Sequence, residues 1–252
     1  MRRMLPRILK VAGAIVGLAL VAIVAFTLAQ RHAAPTDAVA GPEADALAHR
    51  IASSIDEAAW ARTGAVRFRF HGETVLWDRA RSLARIDFAG ARVFVNVATQ
   101  EGIATRNGAR VEGEAGTSLV HKAYARWCNH TFWLNPFVKL FDNGVTRART
   151  TLEGRPALYY GFASGGVTPG DHYEIALGDD GRPSVWRMWV SVLPVAGLEF
   201  RALEWTTLAT GARLVTRWKA PLKSVAIDDL AGAATLGELE PGPDPFADLL
   251  AH

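Results

Sequence analysis

Three times between residues 171 and 217 the chain alternates apolar and polar residues, with a turn signal between one run and the next. Tyr173, Ile175 and Leu177 alternate with His172, Glu174 and Ala176. The tetrad Asp179-Asp180-Gly181-Arg182 follows, and its Asp-Gly pair supplies the positive φ of a hairpin turn. Trp186, Met188, Val190 and Val192 then share one face, with Val185, Arg187 and Trp189 on the other. Residues 194–197 reverse the chain again, and Leu198, Phe200 and Ala202 alternate with Glu199 and Arg201. Period-two alternation broken by turn residues predicts an antiparallel meander. The second face also carries bulk, in Trp189, Leu203 and Trp205. A one-sided sheet shows polar residues there. Both faces are therefore expected to be covered.

The same reading predicts a second meander upstream. Val66, Phe68 and Phe70 alternate with Arg67 and Arg69, and His71-Gly72 turns the chain into residues 73–78. Strands around 83–88 and 92–98 follow, and Asn107-Gly108 is a strong hairpin signal between 103–105 and 109–111. Further strands are predicted at 145–152, 157–162 and, as the last, 213–219. Helical spacing of Leu47, Ile51, Ile55 and Ala58 predicts a helix from Pro42 to Ala61. Thr117 reads as the N-cap of another, with Leu119, Val120, Ala123, Tyr124, Trp127 and Cys128 on one face. Residues 129–142 are dense in aromatics, Phe132, Trp133, Phe137 and Phe141, and break at Asn135-Pro136. They are expected to form a short second helix or loop across the sheet.

The predicted class is α+β: an N-terminal membrane helix, then a curved antiparallel sheet, an incomplete barrel of about 9–11 strands covered by two or three helices. Half of the 252 residues are apolar and eight are Trp, enough for a sizeable core in one domain. The formal net charge is only +3, with no concentrated basic face beyond the first ten residues, so a nucleic-acid partner is not expected. Cys128 is the only cysteine, which excludes an internal disulfide and a cysteine-cluster metal site.

The leader carries its own expectations. Arg2, Arg3, Arg7 and Lys10 precede an uncharged apolar run over residues 11–29. At about 1.5 Å per residue that run nearly crosses a hydrocarbon core of roughly 30 Å. It reads as a transmembrane anchor or a signal sequence, with residues 1–10 cytoplasmic by the positive-inside rule. The folded part is then expected outside the cytoplasm, on a single-pass inner-membrane protein whose domain is periplasmic in a Gram-negative host. Residues 30–41 read as a linker, 42–235 as the folded domain and 236–252 as a proline-rich, disordered tail.

The layout resembles the outer-membrane lipoprotein carrier family. The resemblance rests on a helix preceding Val66-Arg67-Phe68-Arg69-Phe70 and on the run from Leu76-Trp77-Asp78-Arg79 to Leu83-Ala84-Arg85. It rests also on the helical interruption over residues 117–142, and on Tyr173-Glu174-Ile175 through Trp186-Arg187-Met188-Trp189. It covers roughly residues 42–226, is one of architecture and spacing, and departs from the family at Ala80, where a proline is common. It implies a deeply curved sheet whose concave face is closed by helices over an apolar cavity, with a lipid or lipidated protein as partner. Phe132, Trp133, Phe137 and Phe141 on the lid, with Trp186, Met188 and Phe200 on the sheet, are the candidate lining residues; alternatively they form an ordinary core. The ligand reading in this form requires an open cavity, and it would be lost if the concave face proved fully packed by the chain's own side chains.

Other chemistry is thinner. His71, His121, His130 and His172, with Asp171, Asp142 or Glu174, show no helical zinc spacing, and no cofactor or metal is expected. Cys128 lies on an apolar stripe and reads as a structural thiol rather than a nucleophile. Ser164-Gly165-Gly166 lacks the nucleophile-elbow pattern; a loop at a cavity mouth is its functional alternative. Arg67, Arg69, Arg79, Arg81 and Arg85 meet anionic headgroups in one reading and solvent in the other. The function expected is apolar-ligand binding under a lid. An envelope interaction module without ligand is the alternative, and a hydrolase has no constellation to support it.

Overall fold

A computed structural model describes residues 5–163, 170–192 and 195–251. Its first helix is α1 (Leu5–Ala29). Among the described residues no helix is long and apolar enough to cross a membrane. The expected membrane helix over residues 11–29 is corrected accordingly. The signal-sequence alternative, the single-pass inner-membrane placement and the periplasmic placement of the domain lose their basis with it.

The helix expected over residues 42–61 is two helices, α2 (Pro42–Ser54) and α3 (Glu57–Arg62). Asp56 separates them in a left-handed conformation (φ 56°), and its carboxylate accepts a hydrogen bond from Ala59 N at 2.9 Å, capping the second. Then come β1 (Ala65–Phe70), β2 (Glu73–Asp78), β3 (Leu83–Phe88), β4 (Ala91–Asn96), β5 (Gly102–Arg106) and β6 (Ala109–Val111). The long helix α4 (Gly113–Leu134) and a 3₁₀ turn over Pro136–Lys139 interrupt the strands. Thr117 is inside that helix, donating to Gly113 O at 3.2 Å, and does not cap it. Strands resume as β7 (Val145–Leu152), β8 (Arg155–Phe162), β9 (His172–Leu177), β10 (Pro183–Trp189), β11 (Leu198–Thr207), β12 (Arg213–Lys219) and β13 (Val225–Ala233). Two short helices, α5 (Leu236–Leu239) and α6 (Ala247–Leu250), follow.

The strands form one open antiparallel sheet of 13 strands in the order β6-β5-β4-β3-β2-β1-β13-β12-β11-β10-β9-β8-β7. The expected count was too low, and one strand it lacked decides the topology. β13 pairs with β1, Ala65 against Ala233 and Phe70 against Ile227, and so joins the two meanders. A register shift between Arg67 and Arg69, opposite a left-handed Asp229 (φ 53°), marks a bulge in that seam. Small residues and the Asp228-Asp229 pair leave β13 almost without period-two signal.

Four hairpins turn on pairs with both φ angles positive: His71-Gly72, Ala89-Gly90, Asn107-Gly108 and Glu153-Gly154. That is the geometry which matches strand twist. Ala89 has no side chain to hydrogen-bond locally, so its φ of 48° is a strained choice. Ala89→Asn is expected to stabilise the protein by about 0.5–1 kcal/mol; a urea midpoint unchanged or lowered would count against it.

Both sheet faces are covered. Helices α2, α3 and α4 lie on one face, against Phe68, Val75, Ile86 and Val93 in one half and Trp186, Phe200 and Trp218 in the other. The stretch expected to be a linker is docked along the β7 edge and, at Trp189, on the opposite face. Val39 exchanges backbone hydrogen bonds with Arg149 at 2.9 and 2.7 Å, Asp37 accepts from Thr151 N at 3.0 Å, and His32 O accepts from Trp189 Nε1 at 3.0 Å. The tail expected to be disordered is docked on the opposite face too: Phe246 is fully buried against Leu76 and Leu83, with Phe94 beside it. Asp244 anchors it to Arg81 at 2.5 Å. Of the bulk expected on that face, Leu203 stays half exposed, whereas the register shifts in β11 turn Trp205 to the lid-face cluster, where the guanidinium of Arg182 lies over it.

Candidate functional site

The candidate residues on the lid come from α4 and the turn after it. The helix is amphipathic up to Cys128 and, against expectation, continues unbroken through Asn129 to Leu134. Phe132 and Trp133 are therefore carried on the same helix as Leu119 and Ala123. Pro136 then ends it, because it has no N–H to continue the ladder. Asn135 takes a conformation that is neither helical nor extended between the two segments (φ −152°, ψ 78°).

Trp133 and Trp186 are the hub. Trp133 lies 5.3 Å from Trp186, 5.1 Å from Phe200 and 6.0 Å from Phe70, centroid to centroid. Phe70 and Trp186 are thus no more than about 11 Å apart, although β1 and β10 are four strands apart, about 19 Å in a flat sheet. The sheet curls around the lid. Phe132 stacks near Trp186 (5.7 Å) and Tyr173 (5.1 Å), and Phe137 lies 6.3 Å from Trp186 and 6.4 Å from Trp218. Met188 is buried in the same cluster. Phe141 is not: it is exposed at the rim, stacked on His49 at 4.3 Å beneath the Arg147 guanidinium. Tyr160, Tyr173 and Trp218 belong to the cluster and were missed, although each falls on the inward phase of its strand's alternation. The loop over residues 164–169 lies outside the described residues.

The cluster is filled. Trp186 is wholly buried, and Phe137, Trp218, Met188 and Phe200 nearly so. Two open clefts lie elsewhere, one of about 660 Å³ at the hairpin tips near His71, Ala89 and Asn107, one of about 420 Å³ beside α2. Within the cluster, however, both amide atoms of Asn135 and the indole N–H of Trp218 lack a hydrogen-bond partner among the described residues, while the Tyr160 hydroxyl neighbours the Trp186 indole N–H. Burial drives the Tyr160 phenol far above its ordinary pKa, so it stays a neutral hydroxyl.

A polar clasp holds the lid to β2. Glu73 accepts from Arg126 Nε at 3.0 Å and pairs with His130 Nε2 at 2.8 Å. The His130 ring is almost fully buried, with Phe70 5.0 Å away and Asn129 beside its Nδ1. Desolvation lowers its pKa, aided by His71 and Arg126 and opposed by Glu73. The unfolded imidazole therefore takes up a proton first, and stability is lost as pH falls below about 6.5. His130→Gln, which can still donate to Glu73, is expected to flatten that part of the stability–pH curve. Identical curves between pH 7 and 5 for the two proteins would overturn this assignment.

The arginines read as possible headgroup contacts have partners within the chain. Arg67 pairs with Glu240, Arg69 with Asp229, Arg81 with Asp78 and Asp244, and Arg85 with Asp87. Arg79 lies 4.1 Å over Trp60 and donates to the Trp60 and Thr63 carbonyls at the end of α3; burial lowers its pKa to about 10. Cys128 is half-buried, and desolvation raises its thiol pKa. Among the described residues no group of three His, Cys, Asp or Glu is placed to hold a metal ion.

No family model matches the chain, and no curated protein matches it. Its architecture, a large antiparallel sheet with helices on it, is compatible with that of the lipoprotein carriers.

Proposed function

We propose that the domain binds an apolar ligand, a lipid or a lipidated chain, between the sheet and the lid, and that uptake displaces the α4 end and the 3₁₀ turn about Asn135-Pro136. The observation that supports this is Asn135, a nearly fully buried side chain at the lid's bend with neither amide atom hydrogen-bonded. Leaving a buried polar group unmet costs about 1–3 kcal/mol. The closed packing is thus disfavoured at the one point where the lid turns, and opening relieves it. Aromatic surface from six rings or more then faces the incoming ligand, each Å² of apolar burial contributing about 25 cal/mol. The architectural likeness to lipoprotein carriers agrees with this reading.

Pairing through sheet edges, the route an interaction module would use, has less support. The β7 edge is occupied by Val39 and Asp37, and the opposite edge strand, β6, has three residues.

The test is native mass spectrometry of the full chain purified without detergent, followed by solvent extraction, alongside Asn135→Leu. The wild type is expected to carry a lipid-sized mass released on unfolding. Asn135→Leu removes both unpaired atoms, so it should be more stable by about 1–3 kcal/mol and copurify with less ligand. An apo mass for both proteins, with no change in Trp fluorescence on titrating a long-chain fatty acid, would rule the reading out.

A further inference from the structure

We propose that the cleft between α2 and the β9–β10 hairpin is a binding site for a phosphate-type anion, held by Arg50 and Arg213. The cleft, about 420 Å³, is lined by Arg50, Arg213, Arg182, Asp180, His49 and Ser53 among others. Arginines elsewhere in this fold are mostly neutralised. Arg92, in the other cleft, holds Asp87 through two nitrogens, and Arg182 at this one holds Asp180 at 2.8 Å. Arg50 and Arg213 have no carboxylate partner among the described residues.

Each is delivered from a different element. Arg50 projects from α2, one residue after His49. Arg213 opens β12, and its backbone N–H donates to Ile55 O, the C-cap of α2, at 3.0 Å. Two guanidinium groups carried on separate elements therefore border one space, with the Ser53 side chain beside them as a hydroxyl donor. The ordinary alternative is that Arg213 offsets the dipole at the end of α2. That dipole amounts to about half a negative charge. With Asp180 already matched by Arg182, two positive charges remain against it. Such a cleft is complementary to an anion with several acceptor oxygens, which planar guanidinium groups grip through paired N–H bonds. His49 ties the place to the lid, since its ring stacks on Phe141.

The proposal stands independently of the ligand assigned to the sheet–lid interface. Inorganic phosphate is titrated into the full-length protein by calorimetry, at constant ionic strength against chloride, for the wild type, Arg50→Gln, Arg213→Gln and the double variant. Arg92→Gln, in the other cleft, is the control. Saturable phosphate binding is expected to weaken about tenfold for each single variant and to vanish in the double, with Arg92→Gln unchanged. A second arm uses a soluble short-chain phosphatidic acid. If its affinity exceeds that of phosphate and falls in the same variants, the anion is a lipid headgroup; equal affinities assign a free phosphate or phosphate ester. Binding no stronger than chloride, or equal affinity in wild type and double variant, overturns the site. Loss of the arginine effect with lipid copurification intact refutes this site alone. Phosphate binding in a protein that carries no lipid refutes the sheet–lid reading alone.

Discussion

Trp186→Ala is expected to lower the unfolding free energy by about 3–5 kcal/mol, the range for removing a large aromatic from a closed core. The indole is wholly buried and meets Phe132, Trp133, Phe137, Tyr173 and Trp218 at centroid distances of 5.3 to 6.3 Å. These neighbours belong to the lid, the turn after it and two other strands, so the vacated space cannot be closed by one side chain moving. The loss should also be unevenly felt. With its contact on β10 gone, the lid loses packing along residues 132–137, and amide exchange there should speed up more than on β3 and β4. Trp189→Ala, on the opposite face, is the comparison: its ring is half-buried and the N–H bond to His32 O is the principal polar loss. A guanidinium midpoint for Trp186→Ala within 1 kcal/mol of wild type would mean that the lid does not rest on this residue.

Phe246→Ala is the second large effect, also about 3–5 kcal/mol if the tail unfolds together with the sheet. Phe246 is fully buried between Leu76 and Leu83, on the face away from the lid, and edge-on to Phe94 at 5.9 Å. It is held from both sides. The Arg81 guanidinium sits 5.7 Å above its ring and binds Asp244, whose carboxylate also accepts from Phe246 N at 3.0 Å. Arg81 drives the Asp244 pKa below its ordinary range. The folded value lies below the unfolded one, so this contribution is present above the unfolded carboxylate pKa of about 4 and is lost as pH falls below it. Because these ion-paired groups are partly exposed, the charge term is small beside the burial of the ring. Limited proteolysis separates the outcomes. Cleavage confined to residues 236–251 in the variant, with the remaining chain as stable as wild type, would show that the tail is a separate unit and not part of the sheet's cooperative fold.

Much of the sheet was legible because alternation is a local property. Val66-Arg67-Phe68-Arg69-Phe70, the run around Trp186 and the Asn107-Gly108 turn each carry their conformation in a few adjacent residues. The six candidates Phe132, Trp133, Phe137, Trp186, Met188 and Phe200 fall in one cluster because they share either a strand phase or the lid. Phe141 does not, because the 3₁₀ turn after Pro136 swings the chain to the rim before it arrives. Asn135 was legible only as part of a break: an Asn before a proline reads as a turn, and only its burial makes its unpaired amide significant. Arg50 and Arg213 lie well apart along the chain and were unremarkable until β12 was tied to the end of α2.

What the chain determined by itself was therefore the kind of each strand and turn, the amphipathic start of α4, and which side chains travel together. Those follow from steric preferences and side-chain period acting over a few residues. Tertiary structure decided the rest. β13 closes onto β1 with almost no periodic signal, since pairing there is stabilised by the neighbouring strands and not by its own residues. The linker and the tail are ordered because the sheet presents them with Arg149, Trp189, Leu76 and Leu83. Whether a concave aromatic face stands open or is filled depends on how tightly the sheet curls around Trp133, a sum of many strand twists that no local pattern encodes.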